Sequence, residues 1–150
     1  MRIIFLDIDG VLNNGKPGLI DRDCVGRLNR IVAATDAKIV LSSSWRYMVH
    51  RNDLSLAGFE FLLRTHGATG VQVIGVTPSD ETFRCEPNIR GKQIRRWLAN
   101  NCDKHQVETC VALDDTDCGI SEIGYPLVLT DGRKGLRDAD VEKAIELLRE

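Results

Sequence analysis

Residues 2–14 read RIIFLDIDGVLNN: an apolar run, Ile3 to Leu6, goes straight into Asp7 and Asp9, with Gly10, Asn13 and Asn14 just beyond. An unbroken apolar run bounded by turn formers predicts a strand over 2–6 of the kind that is covered on both faces. At its end the period of two sends both carboxylates the same way while Ile8 turns into the core, and two positions along an extended chain span about 6.6 Å. Two like charges about 4 Å apart repel by about 4 kcal/mol at an effective dielectric of 20. Aspartates paired at a strand end therefore call for a cation.

Outward from this stretch, β-rich runs and helical periodicity alternate along the chain. Asp21 is an N-cap for a helix carrying Val25, Leu28 and Val32. AKIVL (37–41) is a second strand, and Leu56, Phe59 and Leu63 mark a helix stopping near Gly67. VQVIGV (71–76) is a third strand. Ile94, Trp97 and Leu98 set a helix after IRGK (89–92), with Trp97 in the core, and VETCVAL (107–113) is a fourth strand. YPLVLT (125–130) is a fifth, and Val141, Ala144, Ile145 and Leu148 stripe a final helix. Strands alternating with helices predict an α/β fold, three-layer and Rossmann-like, with a mainly parallel five-stranded sheet. Residues 1–150 form a single domain of ordinary size.

With 43% hydrophobic and 28% charged residues and a formal net charge of −2, the chain offers no general basic field for nucleic acid. A local basic rim from Arg46, Arg51, Arg84 and Arg90 remains open for a polynucleotide phosphate. No apolar run reaches the roughly 20 residues of a membrane span, and Asp7 and Asp9 interrupt the one candidate signal segment. No membrane partner is expected. The five cysteines, odd in number and without a CxxC pair, fit reduced thiols and a cytoplasmic location. His50, His66 and His105 are scattered and carry no catalytic pattern.

Ligands of parallel sheets bind beyond the carboxyl ends of the strands, and here those ends share a chemistry. The first carries Asp7 and Asp9, the second Ser42, Ser43 and Ser44 followed by Trp45 and Arg46, the fourth Asp114, Asp115 and Asp117. Arg90 and Lys92 precede the helix that leads to the fourth strand. Acids converging from the first and fourth strands call for a hard divalent cation with oxygen ligands, Mg²⁺, which keeps open positions for water and a phosphate oxygen. Hydroxyls and a fixed cation suit the phosphoryl group, so the set describes phosphoryl transfer. Asp117 and Ser44 read as loop or cap residues, Arg46 as structural or substrate-facing, and Asn13 and Asn14 as residues that shape the loop after the first strand or line the site.

These motifs resemble the haloacid dehalogenase (HAD) superfamily of phosphohydrolases. FLDIDGVLN is similar to its DxDG(T/V)L signature, IVLSSSW to the strand ending in serine or threonine, RGKQI to the lysine or arginine segment and VALDDTD to the acidic pair; LVLTDGRKGL fits as well. SSSWR, RGxxIxxWL and LDDxD look most like the small HAD domain of Swiss Army Knife RNA-repair proteins. The resemblance implies Asp7 as nucleophile forming an aspartyl phosphate, and Asp9 as general acid and then base. It implies Mg²⁺ held by Asp7, the backbone carbonyl of Asp9, Asp115 and Asp114. Asp115 would touch the metal directly, with Asp114 orienting the ligand shell. Ser42 is the first choice for the phosphate-binding hydroxyl and Ser43 the second, with Arg90 as the cation and Lys92 the fallback. The short segment 77–89 and the spacing of the first two motifs leave no room for a cap domain. By analogy the substrate is a bulky phosphomonoester, a nucleic-acid end or a phosphoprotein.

Two other classes share parts of this pattern. A catalytically silent binding or regulatory module on the same fold would not need every motif position filled. A receiver domain would carry its phosphorylated aspartate at the end of the third strand, where the sequence has GVTPSD and Asp80 lies too far along.

Overall fold

The five apolar runs become five parallel strands, β1 (Arg2–Leu6), β2 (Lys38–Leu41), β3 (Val73–Val76), β4 (Thr109–Asp114) and β5 (Leu127–Leu129), in the order β3-β2-β1-β4-β5. The structure is a computed structural model and describes residues 1–16, 18–79 and 89–150. Within them the helices are α1 (Arg22–Thr35), α2 (Arg46–His50), α3 (Leu56–Thr65), α4 (Ile89–His105) and α5 (Asp138–Arg149).

The strands hold because alternate side chains enter two different cores. Ile4, Leu6, Ile39, Leu41, Val111 and Leu113 pack with α1, α3 and α5, through residues such as Leu28, Phe59 and Val141. Ile3, Phe5, Val40, Cys110 and Ala112 pack with Ile94, Trp97 and Leu98 of α4. Trp97 meets Phe5 edge-on at 5.5 Å, as its predicted core position requires. Burial on both faces explains the continuous apolarity of the runs, and the architecture is the three-layer α/β fold.

Local signals act where expected. Asp21 caps α1, its carboxylate accepting from the backbone N–H groups of Asp23 and Cys24. The helix from Leu56 ends at Thr65, just before Gly67.

Three expectations change. Arg90 stands in the first turn of α4 rather than ahead of a helix. The short helix α2, directly after the serines, went unread because five residues carry too little periodicity. The histidines have partners: His50 Nε2 lies 3.0 Å from the Thr77 carbonyl, His66 Nδ1 2.8 Å from that of Leu62, and His105 stacks on Trp97. The described cysteines, Cys24, Cys102, Cys110 and Cys118, are free thiols. Arg84, Asp80, Cys85 and most of the 77–89 segment lie outside the described residues. Among the described residues no helix is long and apolar enough to cross a membrane.

Candidate active site

The central strand β1 pairs with β4 in register, Phe5 beside Ala112 and Leu6 beside Leu113, and the ladder runs one step further, the Asp7 N–H donating to the Leu113 carbonyl at 3.0 Å. Alternation then carries Asp7, after Ile3 and Phe5, and Asp114, after Cys110 and Ala112, to the α4 side of the sheet. Both aspartates are buried. Arg90 reaches them from the first turn of α4. Its Nη1 lies 2.7 Å from Asp114 Oδ2 and 3.2 Å from Asp7 Oδ1, and it also donates to the Ser42 carbonyl at 2.6 Å. Lys92 is exposed two positions along, so Arg90 is the cation at the strand ends.

Asp115 completes the acidic group: one carboxylate oxygen from each of Asp7, Asp114 and Asp115 lies within 4.8 Å of the others. The other oxygen of Asp114 accepts from the Thr116 N–H at 3.0 Å and its hydroxyl at 3.2 Å. Asp115 is held by close packing instead. Gly10, at φ +82°, and Gly132 both face its carboxylate, and a Cβ on Gly132 would stand 2.6 Å from Asp115 Oδ2. A side chain at Gly132 would push the Asp115 carboxylate aside, and Gly10 is needed twice over, for the close approach and for its left-handed φ. Asp117 instead caps the turn after β4, accepting from the Ser121 N–H at 2.8 Å.

The electrostatics follow from burial. Desolvation pushes the Asp7 carboxyl above its usual range despite the facing Arg90. Desolvation also pushes Asp114 up to about 7, opposed by Arg90 and aided by the neighbouring Asp7 charge. Burial alone would depress Arg90, but the Asp114 and Asp7 carboxylates outweigh it and raise its proton affinity. When all three are ionised, their charge exceeds that of the Arg90 guanidinium which Asp7 and Asp114 face, even with the buried Arg46 in electrostatic reach of Asp7. A divalent cation with hard oxygen ligands matches that surplus and that donor set, so the residues fit Mg²⁺.

Asp9 stands in a different network. Its Oδ1 accepts from Asn13 Nδ2 at 2.8 Å and the Gly18 N–H at 3.1 Å, and its Oδ2 from Trp45 Nε1 at 3.1 Å. The Asp9 carboxylate therefore does not join the acidic cluster, and its expected metal contact concerned a different atom, the backbone carbonyl. Leu6 ends β1 and Asp9 lies in the turn beyond, which is why the period of two does not keep the pair together.

The serines divide. The Ser43 side chain lies beside the Asp7 carboxylate, and its hydroxyl accepts from the Trp45 N–H at 3.3 Å. Ser42 Oγ is buried with no partner among the described residues, and Ser44 is exposed. Arg46 is buried, its Nη1 donating to the Ser43 carbonyl at 2.9 Å. It braces the serine turn and contributes nothing to a basic rim, the half-buried Arg90 is turned to the aspartates, and Arg51 is the exposed cation of that set.

Sequence reasoning missed Trp45, Thr116 and Thr130, whose hydroxyl donates to the Gly10 carbonyl at 2.7 Å. It gave Asn13 a loop-shaping part, with lining the site as the alternative. The indole N–H of Trp45 was a legible donor, but its acceptor lies 36 positions away.

A family model described as the HAD domain in Swiss Army Knife RNA repair proteins matches residues 3–141. No curated protein and no solved structure matches the chain.

Proposed function

The chain belongs to the HAD domains of Swiss Army Knife RNA repair proteins, which points to phosphohydrolase chemistry, and from that premise we propose an Mg²⁺-dependent phosphomonoesterase working through an aspartyl phosphate. The observation that carries the proposal is the trio Asp7, Asp114 and Asp115, the first two buried and the third half-buried, with the guanidinium of Arg90 between Asp7 and Asp114. Mg²⁺ held by Asp7, Asp114 and Asp115 would offset negative charge on the phosphoryl oxygens.

Asp7 is the nucleophile. Its carboxylate oxygen forms a bond to phosphorus as the bond to the ester oxygen breaks, and Asp9 delivers its proton to that leaving oxygen. Water then attacks the aspartyl phosphate and gives its proton to Asp9, restoring both groups and releasing inorganic phosphate. Three donors, Asn13, Gly18 and Trp45, hold the Asp9 carboxylate in one orientation for both transfers. Ser43 is the better candidate than Ser42 for the phosphate-binding hydroxyl, because its side chain lies beside Asp7. Arg90 orients Asp7 and balances charge developing on the phosphoryl group.

No inserted domain stands over this rim among the described residues, and the family's own description refers to RNA repair. We take a nucleic-acid end as the substrate class, ahead of a phosphoprotein, and the free thiols suit a cytoplasmic setting. A silent binding module gives no reason to bury uncompensated charge, which costs several kcal/mol per ion.

The test is release of phosphate from an aryl phosphate and from phosphorylated oligonucleotides, with Mg²⁺ and with EDTA. The expected result is turnover that EDTA abolishes. Wild-type protein inert toward every phosphomonoester would leave the silent module standing.

A further inference from the structure

Beside Asp9 opens a shallow cavity of about 470 Å³ that the chemistry above does not use. It is lined by Ser44, Trp45, Tyr47, Met48 and Arg51 of the serine turn and the helix α2 region, together with Asp9 and Gly18. The size is that of a small-molecule site. Two features of the walls point to an occupant. The first is flat and apolar: Trp45 fixes its indole edge against Asp9 Oδ2 at 3.1 Å, and Tyr47 stands next in the chain but one. The second is cationic. The Arg51 guanidinium is exposed and lies 6.0 Å from the centre of the Tyr47 ring, while the buried Arg46 guanidinium lies 4.9 Å from the same ring. The closer, buried Arg46 braces the ring.

The geometry points to a leaving-group subsite for the terminal nucleotide of a polynucleotide, with Tyr47 and Arg51 as its specificity-determining residues. The inference rests on the proposed role of Asp9: the residue that protonates the leaving oxygen marks where the leaving group lies, and the cavity begins at that carboxylate. Aromatic rings take bases of any sequence by stacking, and an arginine beside them takes the next phosphodiester. A phosphotyrosine would fill the flat part of the cavity and leave Arg51 without a matching anion. A nucleotide followed by another phosphate uses both.

Steady-state kinetics on Tyr47→Ala, Tyr47→Phe and Arg51→Ala test this with three substrates: an end-phosphorylated oligoribonucleotide, glycerol phosphate and a phosphotyrosine peptide. Tyr47→Ala is expected to lower kcat/KM on the oligonucleotide about tenfold, chiefly through KM, and to leave glycerol phosphate unchanged, while Tyr47→Phe stays near wild type. Arg51→Ala should lose several-fold on the oligonucleotide at low salt and less at high salt. Equal losses on glycerol phosphate, or losses confined to the phosphopeptide, would overturn the subsite. Should Tyr47→Ala fail to fold through loss of the Arg46 contact, the exposed Arg51→Ala decides. If wild type hydrolyses nothing, the phosphatase reading fails by itself. Quenching of tryptophan fluorescence by an unphosphorylated oligoribonucleotide then judges the cavity, weaker binding by Arg51→Ala supporting it and unchanged binding overturning it.

Discussion

Asp7 carries opposite demands that one substitution separates. Burial makes its ionised form costly, as the upward displacement of its proton affinity records, yet attack on phosphorus needs that form. Asp7→Asn keeps the shape and removes the charge. Turnover is expected to fall by roughly a thousandfold or more, as when a nucleophile is removed elsewhere. The melting temperature without Mg²⁺ should stay level or rise, because Arg90 then faces one buried carboxylate instead of two. Phosphate release and a thermal melt read the two halves, and wild-type turnover would remove Asp7 from the nucleophile's place. The contrast with Asp9 shows what a sequence makes visible at this scale. Asp7 and Arg90 declare themselves because each sits in a short motif whose spacing has a chemical meaning. The tie between Asp9 and Trp45 does not, since the short turn after β2 that brings the indole round has no signature of its own.

Elements turn these residues into a site, and β4 with the loop behind it sorts three aspartates into three jobs. Asp114 is the last strand residue and is engaged on both oxygens; Asp115 lies against Gly10 and Gly132; Asp117 caps the following turn. Asp115→Ala is accordingly expected to raise the Mg²⁺ concentration for half-maximal turnover at least about tenfold, in the range seen when a metal shell is damaged. Asp117→Ala should cost only the turn's side-chain hydrogen bond, leaving the melt nearly level and the Mg²⁺ requirement unchanged; a Mg²⁺ titration with a melt distinguishes them. Equal Mg²⁺ shifts would mean that the acidic register is misassigned. Helix α4 places Arg90 by a similar close approach. The Gly91 N–H donates to the Cys118 carbonyl at 3.1 Å, and a Cβ on Gly91 would collide with the Gly119 carbonyl. Gly91→Ala should therefore cost about 1–3 kcal/mol in overpacking, lowering the melting temperature by roughly 2–12 °C, and cut turnover further by moving Arg90. A normal melt with normal turnover would show the loop free to yield. Five strands and four of the helices were legible because burial on both faces writes continuous apolar runs and amphipathic stripes. The glycine contacts were not, because a close approach between distant segments leaves no periodic trace.

The sheet order brings the whole together at one rim. With β1 between β2 and β4, the serine turn, the first aspartates and the acidic loop emerge side by side, and α4 covers the face from which Arg90 enters. Sequence alone suggested that the first and fourth strands are neighbours but had no means of fixing it, since strand order is set by which helices cover which face. The arrangement has a consequence for the stability of the entire chain. The Asp114 carboxyl is raised to about 7 in the fold, against roughly 4 for an unfolded aspartate. Between those values the folded chain binds more protons than the unfolded one. Its contribution is therefore fully present below about pH 4 and is lost as pH rises through about 7. Asp7 shifts the same way. Mg²⁺ competes with these protons and supplies the missing positive charge, so its stabilisation must grow as they leave. The rise in melting temperature on adding millimolar Mg²⁺ is expected to be several degrees at pH 8 and close to zero at pH 5, and to vanish at both in Asp7→Asn. Calorimetry at the two pH values with Mg²⁺ or EDTA measures it. A shift that is equal at both pH values, or larger at pH 5, would separate metal binding from the buried carboxylates and leave their surplus charge without a counterpart.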